Sequence, residues 1–270
     1  MTTPTRPQSA RRRLAEHHGM RGLTTLLGSE ARLFTRDVGN VFFVVGFPTV
    51  LLLGMAFAIP GMRETITDAP QPFTGLRPMD LFAPIVVAVA VATAGLTTLP
   101  TYLAAYRETG VLRRLATTPM RPLGVLVGQV LAQLAGLTVG CGLALGVGAM
   151  VIGLPGPERI GLAAASYLLA VAAIFAIGLM LGGLAPKATT ASGIGMLLYF
   201  PMLFLAGMWT PGPLMPDTLE RIAAYSPLGA ASQSLSAAWF GGDLPILQLL
   251  VMAGWAVAAF GVALRTFRWD

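Results

Sequence analysis

Apolar residues run along this chain in long blocks that no charged side chain interrupts. Between Asp37 and Arg63 lie 25 residues without Asp, Glu, Lys or Arg. Similar runs cover Leu81–Tyr106, Pro122–Pro157, Ile160–Pro186, Ala188–Pro216 and Leu244–Leu264. Each exceeds the roughly 20 residues that cross a bilayer's hydrocarbon core as a helix. The pattern predicts six transmembrane helices: Val38–Ile59, Leu81–Tyr102, Val130–Ile152, Ile160–Leu184, Ser192–Met208 and Pro245–Leu264. The run Pro122–Pro157 counts as one span with an interfacial lead-in, being too long for one crossing and too short for two. Arg221–Trp239 lacks a continuous apolar core and holds Gly, Ser, Gln and Pro. It predicts short interfacial or re-entrant helices.

Ahead of the first span the periodicity changes twice. Residues 1–19 are rich in Arg, Pro and Ser and predict a disordered arm. From 20 to 37, Leu23, Leu26, Leu27, Ala31 and Phe34 share one helical face with Arg21, Arg32 and Arg36 around it. That is the pattern of an amphipathic helix lying along lipid headgroups. His17-His18 reads as a solvated pair, because neighbours on a helix point apart and no third ligand is near.

Composition agrees with the pattern: 55% of residues are hydrophobic and 11% charged, with a mean hydropathy of +0.72. Soluble domains carry about 25% charge, so an all-α polytopic membrane protein is expected. The basic residues set its orientation. Seven arginines precede the first span, Arg107, Arg113, Arg114 and Arg121 follow the second, Lys187 follows the fourth, and Arg265 and Arg268 follow the sixth. Fourteen of 18 basic residues thus share one side, which places both termini in the cytoplasm. The net charge of +6 therefore belongs to a lipid surface and not to nucleic acid. Arg11–Arg13 and Ala56-Phe57-Ala58 imitate parts of a cleaved signal. The first apolar run is too long and too distant from those arginines for one, so no cleavage is expected.

Inside the spans the sequence offers packing more than chemistry. Gly124, Gly128, Ala132, Gly136, Gly140 and Ala144 recur every four residues and form a ridge that lets another helix approach closely. Gly178 and Gly182 repeat the motif. Pro48, Pro84 and Pro201 are expected to bend their helices. Gln129 and Gln133 share a face near the cytoplasmic entrance, where they either line a pathway or hydrogen-bond between helices. Phe200, Met202, Phe204, Met208 and Trp209 give the fifth span an apolar and aromatic wall.

The catalytic inventory is empty. No span holds an ionisable side chain of the kind that ion-coupled carriers use. The single lysine, Lys187, follows Pro186, so no phosphate-binding P-loop exists, and the lone Cys141 excludes an internal disulfide. The chain is not expected to be an enzyme. Any energy for work has to arrive from another protein.

The loop after the second span could receive it. In "RETGVLRRLATTPMRPLGVLVGQVL", Val111, Leu112, Leu115 and Ala116 fall on one face beside Arg113 and Arg114, before Pro119 and Pro122 stop the helix. This segment resembles the R-E-x-G-x-L-x-x-L-x-x-T-P loop of ABC-2 type ATP-binding-cassette permeases, the group that includes daunorubicin-type drug exporters. A second stretch, "FPMLFLAGMWTPGPLMPDTLERIAAYSPL", is similar to that family's F-P, M-P, short helix and final S/N-P-L. Here Asp217 is expected to cap the short helix, with Glu220 completing a capping box.

The resemblance implies a six-helix domain over 38–270, with a coupling loop at 107–121 and an external re-entrant region at 211–240. In it Arg107, Glu108, Gly110, Leu112, Arg113 and Leu115 would dock on an ATP-binding subunit, and the 20–37 helix would be an interface helix. Gln129, Gln133, Phe200 and Met202 are the candidate pathway residues. ATP and Mg would sit on the partner, with no cofactor in this chain. A second permease copy or a related chain and membrane lipids would complete the assembly in a bacterial plasma membrane. The cargo expected for an uncharged wall is an amphipathic compound such as an antibiotic, drug or lipid-like molecule. A polysaccharide or lipid-linked glycan, or no cargo at all in a membrane scaffold, are the alternatives.

Overall fold

The computed structural model describes residues 28, 31–67, 74–110, 122–211 and 215–266. Six of its helices are long and apolar enough to cross a membrane. They are α1 (Val38–Ala58), α2 (Pro78–Glu108), α3 (Pro122–Ile152), α4 (Ile160–Leu184), α5 (Ala188–Leu205) and α8 (Ile246–Thr266). Two shorter helices, α6 (Asp217–Tyr225) and α7 (Pro227–Phe240), stand between α5 and α8. The fold is the all-α polytopic one expected.

The helix ends moved where a helical pattern continues beyond the length that one crossing requires. The second span runs on to Glu108, and the third is one unbroken helix of 31 residues, without a separate lead-in. The fifth starts four residues and ends three residues earlier than Ser192–Met208, since Ala206 and Gly207 end it. Among the N-terminal residues, 31–36 are helical. Leu23, Leu26 and Leu27 lie outside the described residues.

Burial identifies the centre. The most apolar window of α2 is 89% buried, against 22% in α1 and 17% in α8. Packed around it are α4, α5 and α7, with the α1–α3 pair on another side and α8 laid along α4. The run Phe82–Ala92 of α2 is buried at every position, an Ala/Val-rich surface small enough to be enclosed by several helices at once.

Proline acts here in a way that periodicity alone does not reveal. Two segments widen to π-helical turns, Phe42–Gly46 in α1 and Thr93–Thr98 in α2. Each ends one residue before an X-Pro pair, Phe47-Pro48 and Leu99-Pro100. Proline lacks an N–H and crowds the carbonyl four residues earlier, and a widened turn moves that carbonyl aside. Pro84 falls in the first turn of the regular helix Phe82–Ala92, just after a 3-10 start, while Pro201 lies inside α5.

Glycines on the neighbours meet both π turns. A Cβ at Gly178 of α4 would collide with the Gly95 carbonyl, one at Gly195 of α5 with the Leu96 carbonyl, and one at Gly140 of α3 with the Val44 carbonyl. Gly182 lies against Pro100 and Leu103, and Gly136 receives the ring of Phe34. The small-residue ridge of α3 therefore packs on α1 and the segment before it.

Between α5 and α8, α7 is anchored by a Ser166–Ser234 hydroxyl pair at 2.5 Å and by Trp239 Nε1 donating to the Pro155 carbonyl at 3.1 Å. Ser226 caps α7, accepting from the Gly229 amide at 3.0 Å. The cap expected for α6 differs. Pro216 precedes it without a side-chain bond, and Asp217 and Glu220 sit inside its first turn. There they complement the positive helix end without bonding to it.

Gly178→Ala or Gly195→Ala should each destabilise the detergent-solubilised protein by about 1–3 kcal/mol, the usual cost of overpacking. Gly142→Ala, where an added Cβ meets nothing within 4 Å, should be neutral or gain up to about 1 kcal/mol from helix propensity. Thermal unfolding followed by tryptophan fluorescence checks both.

Candidate functional site

The C-terminal end of α2 carries the first three candidate residues. The helix closes with Gly110 N–H donating to the Arg107 carbonyl at 3.1 Å, and Gly110 takes φ +69°, which a side chain would strain. Arg107 Nη1 donates to the Gly183 carbonyl at 2.6 Å, with the Gly182 and Ala185 carbonyls at 3.5 and 3.4 Å. Glu108 Oε2 accepts from the Ala188 N–H at 3.1 Å. One residue thus serves the C-terminus of α4 and the next serves the N-terminus of α5. Each charge is opposite in sign to the helix end it meets, and so stabilises it. Leu112, Arg113 and Leu115 lie outside the described residues.

The N-terminal end of α2 is held by the same chemistry. Arg77 pairs with Asp80 at 2.7 Å and donates to the Ile152 and Gly153 carbonyls at 2.6 and 2.9 Å, at the C-terminus of α3. An arginine at each end of the central helix therefore satisfies terminal carbonyls of a neighbour.

Asp37 ties the start of α1 into this frame. Its Oδ1 accepts from the Asn40 amide at 3.0 Å as an N-cap, and its Oδ2 accepts from the Tyr102 hydroxyl of α2. The Tyr102 hydroxyl first, and then the Asn40 amide, hold the carboxyl below its ordinary 3.8.

Next to this anchor α2 shows its one open face. Thr97, Thr98, Thr101, Tyr102 and Tyr106 are half-buried, although the preceding turns are fully enclosed. They stand in two adjacent rows at four-residue spacing, a stripe of hydroxyls through the C-terminal half of the helix. Thr97, Thr98 and Thr101 donate to carbonyls one turn back at 2.6–2.7 Å, which leaves their oxygens able to accept. Thr93, deeper and buried, pairs with the Tyr199 hydroxyl of α5 at 2.9 Å.

The other candidates are dispersed. Gln133 is fully buried, and its Nε2 donates to Asn40 Oδ1 at 3.3 Å, joining α3 to α1. Gln129 is buried one turn away. Phe200 is 57% exposed on the outer face of α5, edge-on to Tyr199, and Met202 is half-buried. A cavity of about 570 Å³ opens between α5, α6, α7 and the start of α8. Asp217, Glu220 and Asp243 face it together with Gln233, Gln248 and Phe240.

Because the folded-state pKa of Asp37 is depressed, its contribution to stability is present above the unfolded value and lost as pH falls through the folded one. The melting-temperature gap between wild type and Asp37→Asn should stay constant from about pH 8 to about pH 5 and close below about pH 4. Tyr102→Phe should move that closing toward higher pH.

No curated protein matches the chain in comparison. The family model described as ABC-2 type transporter matches residues 21–240, which takes in the arginine-glutamate pair, the hydroxyl stripe and helices α1 to α7. That match covers most of the chain, and the six membrane-crossing helices agree with it. The chain belongs to the ABC-2 type transporter family, as a membrane subunit of an ATP-binding-cassette transporter.

Proposed function

We propose that this permease exports an amphipathic compound, such as an antibiotic, drug or lipid-like molecule, from the cytoplasm across a bacterial plasma membrane. Two copies, or this chain and a related one, assemble with two separate ATP-binding subunits that hold ATP and Mg. The observation that carries the reading is the hydroxyl stripe Thr97–Tyr106 on the central helix, set in spans whose interior has no fixed charge. Hydroxyls can orient the polar end of a cargo, while apolar walls accept its body without the desolvation cost that a buried charge would impose. The carboxylates around the external cavity favour a cationic head on the exit side. ATP-driven closure of the partner subunits would push on the loop 107–121 and turn a cytoplasm-facing pathway outward.

Purification from native membranes in mild detergent should bring down a P-loop ATPase whose turnover rises with a fluorescent amphipathic cation such as rhodamine 6G. Thr97→Val with Thr101→Val keeps the shape and removes two hydroxyls. It should leave basal turnover intact while lowering dye export several-fold. Wild-type export by that variant would remove the stripe from the pathway. Stable protein without any ATPase across several detergents would favour the scaffold.

A further inference from the structure

The turn between α4 and α5 is poorly provided for by its own sequence. At the end of α4 the chain leaves in extended conformation at Ala185, with no glycine to close the last carbonyls, and Pro186 follows. At the start of α5 the N-cap is Lys187, which makes no side-chain cap bond and places a positive charge at the positive helix end. Both deficits are met from about 80 positions away by two consecutive residues of α2. Successive side chains on a helix diverge by about 100°. Arg107 therefore reaches the α4 carbonyls while Glu108 reaches the Ala188 amide. Above the pair, Gly182, Gly178 and Gly195 keep α4 and α5 in backbone contact with α2 through the next three turns. No compliant layer separates the helices between the loop and the middle of the membrane.

We infer that Arg107 and Glu108 are positioning residues that lock the α4–α5 turn to the start of the cytoplasmic loop, so that displacement of the loop moves α2, α4 and α5 as one body. This rests on the proposal that the loop receives force from an ATPase. It also gives the pair a role inside the permease, in place of the partner contact that the family resemblance implies. Sequence position alone does not distinguish the two, because a charged pair at a helix end can face a partner or its own neighbours.

The test uses the full chain in lipid nanodiscs, alone and with its co-purified ATPase. The buried Cys141 is replaced by Cys141→Ser, and spin labels are attached through Thr109→Cys and Thr189→Cys, two exposed positions on either side of the clamp. The wild-type background should give one narrow distance that is the same in the permease alone, in the nucleotide-free complex and in the vanadate-trapped complex. Arg107→Ala with Glu108→Ala should broaden that distance already in the permease alone. In the complex it should leave ATP turnover running while dye export is lost. Glu108→Gln keeps an acceptor for Ala188 and should restore the narrow distance and part of the export, which a general folding defect would not do. A wild-type distance that shifts on vanadate trapping would overturn the inference. So would a double-alanine variant that keeps the narrow distance, or one that exports dye normally. If no ATPase co-purifies, the functional reading fails on its own, and the distances in the permease alone still decide whether the clamp exists.

Discussion

The enclosure of α2 is the constraint on which the rest of the molecule depends. A helix surrounded by other helices in an apolar medium has no water for its backbone and no room for large side chains at its contacts. This chain meets both demands with Ala and Val through Phe82–Ala92 and with a widened turn just below. The carbonyls of Gly95 and Leu96 then face Gly178 and Gly195, where the absence of a Cβ allows backbones to touch and Cα–H groups to approach carbonyl oxygens. The same device recurs between Val44 and Gly140, so each π turn is matched by a glycine on the helix it meets.

Electrostatics finishes what packing begins. Arg77 and Arg107 bind carbonyls at the C-termini of α3 and α4, and Glu108 and Asp37 bind amides at the N-termini of α5 and α1. All four act at the membrane surfaces, where ionic side chains cost least to place. Together they attach four neighbouring helix ends to α2 or, through Tyr102, to its flank. A helix that is buried along its length and tied at both ends is well suited to carry displacement between the two faces of the membrane. Its half-open hydroxyl stripe lies between those ties.

Much of this was legible in the residues. Charge-free runs locate all six spans, because the bilayer sets both length and polarity, and Ile160–Leu184 has the bounds expected. Helix ends were less legible, since Pro122–Gln129 and Tyr102–Glu108 continue a helical pattern past the length that one crossing requires, and charge-free length does not fix where a helix starts or stops. The π turns are invisible to periodicity over a few residues, although the X-Pro pairs at Pro48 and Pro100 mark their ends. Gln133 stood open between two roles until its partner Asn40, 93 positions away, was placed beside it. The threonine stripe escaped notice because a search for charge passes over hydroxyls, yet Thr97, Thr98, Thr101, Tyr102 and Tyr106 carry the four-residue spacing in plain view. Asp217 does not fill the cap that its spacing to Glu220 suggests because the helix begins one residue earlier, with the Pro216 carbonyl accepting from the Glu220 amide.

If α2, α4 and α5 move as one body through the transport cycle, joining two of them covalently leaves the cycle intact. A Cβ at Gly182 would meet the Leu103 Cβ at 2.8 Å, so Leu103→Cys with Gly182→Cys, in a Cys141→Ser background, brings two thiols within reach of a disulfide after a small relaxation. ATP turnover and dye export of the complex should be the same in the oxidised and reduced forms. Export that stops on oxidation and returns on reduction would show that α2 and α4 slide past each other, and would contradict the account.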